Sequence, residues 1–244
     1  MRLKILTYNI HKGIGGVDRK YRLNRIIDVI RYYEPDVALL QEVDNGVPRS
    51  HRDFQAEALA RHLEFSHMQF QPNVALRWGT YGNAILSRLR LLDPLDVELT
   101  VPPKKRRRAL VGRLQVERGR HHRSVVIVNL HLGLAGFERR IQLKRLLRSP
   151  AIDRLHHDTP CIVGGDFNDL WATVGKRIMK PAGFHSATGR HRTFPASIPL
   201  RPLDAIYHRG DCRVHHAYAG RIQLAHEASD HLPLIAEFEV KVSR

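Results

Sequence analysis

Leu3-Lys4-Ile5-Leu6-Thr7-Tyr8 and Asp36-Val37-Ala38-Leu39-Leu40-Gln41 read as two short strands, and between them Leu23, Ile26, Ile27 and Ile30 recur at helical spacing. That order, strand then helix then strand, opens an α/β chain. Working outward, residues 54–63 read as a second helix, and residues 82–87, 89–99, 109–116 and 124–130 as successive strands separated by Pro, Gly and charge clusters. Residues 137–148 form a basic helix, 161–165 a short buried strand, and 204–208, 214–219 and 234–240 further strands. With no repeat and no linker, this mixture predicts a layered α/β sandwich with mixed sheets, as one domain spanning residues 1–244.

The chain has 244 residues with 40 Lys+Arg against 24 Asp+Glu, a formal charge of +16 when its 16 histidines are neutral. A hydrophobic share of 43% excludes a disordered chain. A surface this basic attracts polyanions, whether nucleic acid, anionic lipid headgroups or phosphorylated small molecules. No apolar run approaches the roughly 20 residues of a membrane span, and the first residues read as a strand instead of a signal peptide, so a cytoplasmic location is expected. Cys161 and Cys212 lie far from any CxxC spacing and offer neither a disulfide framework nor a cysteine-built zinc site. Gly13, Gly15 and Gly16 match no nucleotide-cradling pattern and read as a rim loop. Trp78 and Tyr81 are aromatic residues that could stack on a base or serve as hydrophobic anchors.

In a chain short of carboxylates, their placement is informative. Glu42, Asp166 and Asp230 are each expected where a hydrophobic strand meets a loop, and Asp204 where one opens. Such strand-end positions face a common rim, and oxygen ligands of the Asp, Glu and Asn type suit a hard cation such as Mg²⁺ or Mn²⁺. Four segments carry these residues: Leu6-Thr7-Tyr8-Asn9-Ile10-His11, Leu39-Leu40-Gln41-Glu42-Val43, Gly164-Gly165-Asp166-Phe167-Asn168-Asp169 and Ser229-Asp230-His231-Leu232-Pro233.

Together, in this order, these segments resemble the endonuclease/exonuclease/phosphatase superfamily of DNase I-like nucleases, abasic-site endonucleases, sphingomyelinases and inositol polyphosphate phosphatases. Val128-Asn129-Leu130-His131-Leu132-Gly133 and Gly82-Asn83-Ala84-Ile85-Leu86-Ser87-Arg88 fit the same family. Asn9-Ile10-His11-Lys12-Gly13 and Arg192-Thr193-Phe194-Pro195, the latter followed by Leu203-Asp204-Ala205-Ile206-Tyr207, resemble its small bacterial YbhP-like branch. The resemblance implies a four-layer α/β sandwich, two central mixed β-sheets flanked by helices, with the site at one edge of the sheets.

The activity it implies is metal-assisted phosphohydrolysis, foremost a phosphodiesterase or nuclease with DNA as the favoured substrate. Glu42 and Asn9 would hold a divalent cation, with Asp230 completing its shell or positioning a water. Asp166 would deprotonate the attacking water and Asn168 donate its amide to the phosphate or the nucleophile. His231 would bind a phosphate oxygen, with Asp204 fixing its tautomer or favouring its protonated form. His131 would protonate the leaving group or grip the phosphate. The run Lys104-Lys105-Arg106-Arg107-Arg108 places Arg107 or Arg108 at a strand entrance where the family often carries an arginine. His11 stands where some nucleases of the family carry an acid, and is expected as a phosphate contact or structural residue. Arg139, Arg140, Lys144, Arg145 and Arg148 are expected as an exposed basic face. Two other readings remain: a phosphoesterase for phospholipid headgroups or phosphorylated small molecules, and a catalytically silent module that binds polyanions.

Overall fold

The computed structural model describes residues 1–119 and 121–242, and its first elements are β1 (Arg2–Asn9), α1 (Leu23–Tyr33) and β2 (Val37–Asn45). There follow α2 (Gln55–His62), β3 (His67–Ala75), β4 (Thr80–Ser87), β5 (Leu91–Glu98), β6 (Arg108–Arg118), β7 (His121–His131), α3 (Gly136–Leu147) and α4 (Pro150–Asp153). The chain then forms β8 (Cys161–Asp166), β9 (His185–Ser186), β10 (Asp204–Arg209), β11 (Cys212–Ala219), α5 (Gln223–Ala228) and β12 (Leu234–Val240). One six-stranded sheet has the order β11-β12-β1-β2-β4-β3, the other β5-β6-β7-β8-β10-β9. Each sheet is mixed: β1 and β2 are parallel, as are β7 and β8, while β12 and β10 join antiparallel.

Strand alternation explains the layers. Leu3 and Ile5 of β1 point between the sheets, where with Leu39 and Ile85 they meet Leu110, Ile127, Ile162 and Ile206 of the second sheet. Leu6 and Tyr8 point the other way, onto Ile26 and Ile30 of α1, Leu59 of α2 and Ala225 of α5. On the far side, Val126, Val128, Leu130 and Val163 receive Leu143 and Leu146 of α3. The central strands are thus buried on both faces, which is why they are nearly continuous apolar runs. Each fully buried Leu or Ile contributes about 1.5–3 kcal/mol before entropy is charged against it. The result is the expected four-layer sandwich.

Departures from the sequence reading have local causes. No strand is expected at β3, because polar residues and Pro72 interrupt its apolar pattern; as the edge neighbour of β4 it has no second strand to satisfy, and its register shifts between Pro72 and Val74. α5 has six residues, too few to show a helical period. Asp230 lies not at a strand end but in the loop from α5 into β12, and Glu42 lies inside β2. The basic helix is not uniformly exposed, since Arg139 is buried and donates to the carbonyls of Leu134 and Gly133. The glycine loop after β1 is packed, with Gly16 against the backbone of Ser229 and Asp230. Among the described residues, no helix is long and apolar enough to cross a membrane.

Candidate active site

Strand register assembles the site. His131 ends β7, Asp166 ends β8 beside it in the parallel ladder, and Asp204 opens β10 opposite Asp166 in the antiparallel one. These three residues form one row across the second sheet. From the first sheet, Asn9 at the end of β1 donates its Nδ2 to Asp166 Oδ2 at 3.0 Å. His231 bridges the row: its Nδ1 lies 2.8 Å from Asp204 Oδ2 and its Nε2 3.9 Å from Asp166 Oδ2. His131 Nε2 lies 3.4 Å from the same Asp166 oxygen. The carboxyl ends of parallel strands are where α/β folds gather ligands, because loops diverge there while the sheet holds the side chains still.

Backbone geometry makes room for this row. Gly165 has φ of +148°, and a Cβ there would stand 1.9 Å from the Leu130 carbonyl oxygen, so only glycine lets β8 run this close to β7. Asn168 takes φ of +50°, its N–H donating to Asp166 Oδ1 at 2.9 Å and its Nδ2 to the Leu132 carbonyl at 2.9 Å. Its amide retains a second N–H for a ligand.

Glu42 is aimed by a bulge. Pairing of β2 with β4 stops after Leu40 opposite Ala84 and resumes at Val43, and Glu42 within the break has φ of +56°. The carbonyls of Leu40 and Ala84 both accept from Asn129 Nδ2, each at 2.8 Å, while Asn129 Oδ1 accepts from Gln41 Nε2 at 2.8 Å. A side chain of the second sheet therefore pins the irregularity of the first. Asn129→Leu strands the two buried carbonyls at about 1–3 kcal/mol each, while the Gln41 amide keeps Thr7 Oγ1 and the Leu39 carbonyl as acceptors. We expect it to lower stability by several kcal/mol in denaturant titration; an unchanged unfolding midpoint would remove the pin from this account.

Charge is divided across the site. Burial opposes ionisation of Glu42, but the Lys12 ammonium against it outweighs burial and holds the carboxyl below the usual carboxylate range. The Lys12 ammonium rests directly on Glu42 Oε2. Burial, helped by Asp204, pushes Asp166 well above the usual carboxylate range against the pull of His231. Burial also opposes charge on His231, yet Asp204 and Asp166 overcome it and lift the imidazole to about 10. Burial and Arg107 keep His131 far below the ordinary histidine value. A neutral imidazole there can hydrogen-bond a ligand.

A histidine raised on folding stabilises the protein fully below its unfolded value of about 6.5, and that contribution fades as pH climbs through about 10. Asp204→Asn removes the principal counter-charge. NMR titration in EDTA should show the His231 ring titrating at clearly lower pH in the variant, with the stability gap between the proteins widest below pH 6.5 and closing toward 10. Identical titration curves would refute the pairing.

The remaining expected residues fall as follows. Asp230 Oδ2 lies 3.8 Å from His11 Nε2, and His11 Nδ1 lies 2.9 Å from the Ile14 carbonyl, so this histidine is held by its own segment after β1 and faces Asp230. Arg107 is 8% exposed, is attracted by Asp166 and Glu42, and its side chain has no hydrogen-bonded partner among the described residues. Arg108 turns elsewhere, to Asp96, Asn73 and the Pro72 carbonyl. Tyr81 is buried beneath Lys105 and Arg49, an anchor and not a free stacking face, whereas Trp78 is exposed. The sequence reading did not single out Lys12 beside Glu42, Thr193 donating to Asp204, Phe194 against the His231 ring at 5.0 Å, or Ser229 donating to the Asn9 carbonyl. Ser229 lies one residue from Asp230, and Thr193 and Phe194 lie in the segment Arg192-Thr193-Phe194-Pro195, which carries no candidate site residue; nothing in the sequence distinguishes them chemically.

This chain belongs to the Endonuclease/Exonuclease/phosphatase family, whose pattern it matches over residues 6–231. It is 30% identical to YbhP of Escherichia coli strain K12 over 97% of this chain and 96% of that protein. Its fold is similar to the endonuclease/exonuclease/phosphatase from Beutenbergia cavernae, at 23% identity and a TM-score of 0.80, covering 98% of this chain and 72% of that one. It is also similar to ANGEL2, a 2′,3′-cyclic phosphatase, at 18% identity and a TM-score of 0.73 over 98% and 95% of the two chains.

Proposed function

We propose that this chain is a phosphodiesterase of nuclease type that hydrolyses its substrate by in-line attack of water, with Mg²⁺ or Mn²⁺ held by Glu42, Asn9 and Asp230. The observation that carries the reading is the row in which Asp204 hydrogen-bonds His231, His231 faces Asp166 at 3.9 Å and Asn9 donates to Asp166, beside a Glu42 held below the usual carboxylate range. The donor set fits a hard cation: Glu42 already draws the Lys12 ammonium, and one or two carboxylates with an amide oxygen leave coordination places for water and phosphate. Bound there, the cation would neutralise charge developing on a nonbridging phosphate oxygen.

The chain's own groups do the rest. Asp166 takes the proton of the attacking water as its oxygen bonds to phosphorus and the opposite P–O bond breaks; burial raises its basicity toward the working range. Asn9 fixes which carboxylate oxygen faces the water. The His231 imidazolium, locked by Asp204, donates from Nε2 to a phosphate oxygen, and the buried Arg107 guanidinium supplies a second cationic contact. Asn168 and neutral His131 add hydrogen bonds, and the surplus of basic residues favours a polyanionic substrate, DNA foremost. The test is hydrolysis, with Mg²⁺ or Mn²⁺, of a panel of DNA, RNA, anionic phospholipid vesicles and inositol phosphates. DNA cleavage that EDTA abolishes is the expected result; turnover of vesicles alone would overturn the nuclease reading.

A further inference from the structure

Beside the catalytic row lies a cavity of about 620 Å³ that the chemistry above does not use, walled by Trp171, Leu200, Arg190, Arg192 and Arg201. Two chain segments tie it to the site. Trp171 follows Asn168 by three residues, and Arg192 precedes Thr193, which holds Asp204. Arg201 stands across an antiparallel bridge from Phe194, the residue packed on His231. A residue spans at most about 3.6 Å of chain, so Arg192, next to the Thr193 that donates to Asp204, and Arg201, three residues before Asp204, place this wall at the edge of the site.

The wall is chemically odd for a solvent-facing surface. Trp171 is 73% exposed and Leu200 59%, and among the described residues the three arginines, like most others of this basic chain, form no ion pair, which leaves their guanidiniums available to a ligand. Unpaired guanidiniums around an uncovered indole offer phosphate contacts and a stacking face in one concavity, the combination that binds single-stranded nucleic acid. A base inside a duplex would have to leave its stack to enter.

We propose that this cavity is a subsite for one unpaired nucleotide flanking the scissile phosphate, its base stacked on Trp171 and its own phosphate held by Arg192 and Arg201, so that the preferred substrate is single-stranded. The proposal rests on the phosphodiesterase reading for its register but not for its binding chemistry, so the two are tested apart. In Trp78→Phe protein, where Trp171 is the sole indole, fluorescence is titrated in EDTA with a short oligothymidylate, with a duplex carrying the same strand, and with phosphatidylglycerol vesicles.

Saturable quenching by the single strand, at least about tenfold tighter than by the duplex, is expected. Arg192→Glu with Arg201→Glu should weaken it by at least about tenfold, and Trp171→Ala should weaken oligonucleotide binding measured by anisotropy by roughly 5- to 150-fold. Equal or tighter duplex quenching, a response to vesicles alone, or no response overturns the subsite. Hydrolysis of bis(p-nitrophenyl) phosphate, which has no nucleobase, reports on the catalytic row: turnover without quenching refutes the subsite alone, and quenching without turnover of this ester or of the oligonucleotide refutes the catalytic reading alone.

Discussion

Asp166→Asn should lower phosphodiester turnover by about 10³-fold while the protein stays folded, because a positioned general base contributes about 10²–10⁴. The substitution keeps the shape of the side chain and removes its capacity to take a proton. Asp166 is 1% exposed and burial disfavours its charge, so the amide relieves a buried charge, although its NH2 must face the Asn9 amide or the Asn168 N–H, a cost that the melting control reads. The comparison to make is initial rate on a labelled oligonucleotide at saturating substrate, with thermal melting of both proteins as the control for folding. A rate within tenfold of wild type, from a variant that melts normally, would take Asp166 out of proton transfer.

The second large effect belongs to Glu42. Wild-type protein should melt at a higher temperature in millimolar Mg²⁺ or Mn²⁺, since a ligand at a hundred times its Kd adds about 2.7 kcal/mol, or about 5–10 °C for a chain of this size. Glu42→Ala should abolish that shift and cost about 10²–10³ in turnover, the scale of losing one preorganised electrostatic contact. The melting readout is independent of catalysis. It also separates the carboxylate from its neighbour Lys12, whose ammonium would compete with the metal for Oε2 in the wild type. A variant that keeps the metal-induced shift would move the ion to other ligands, the buried group of Asp166, Asp204 and His231 first among them.

How far each of these residues could be read in advance varies with what places it. Asp166 and Asp204 were legible because each lies at the edge of a short apolar run, and a strand end is a local property. Glu42 was legible as a residue but not as a conformation: its left-handed backbone depends on a bulge closed by Asn129 from the other sheet, 89 positions from Leu40. Arg107 and Arg108 are adjacent and chemically identical in sequence, and where the chain enters β6 the first turns toward Asp166 and the second to Asp96. Arg139 is similar: a charge on a helix face reads as solvated, and only the packing of α3 against its preceding loop buries it.

The linear chain by itself determined the alternation of apolar runs, the polar residues that end them and the surplus of positive charge, because these depend on near neighbours and on composition. The tertiary structure alone decided which ends meet, that the surroundings push His231 up and His131 down from the ordinary histidine value, and that three arginines and an indole surround one hollow. Register, burial and the distance between charges arise only when segments from opposite ends of the polypeptide are brought within a few ångströms, and no local pattern encodes them.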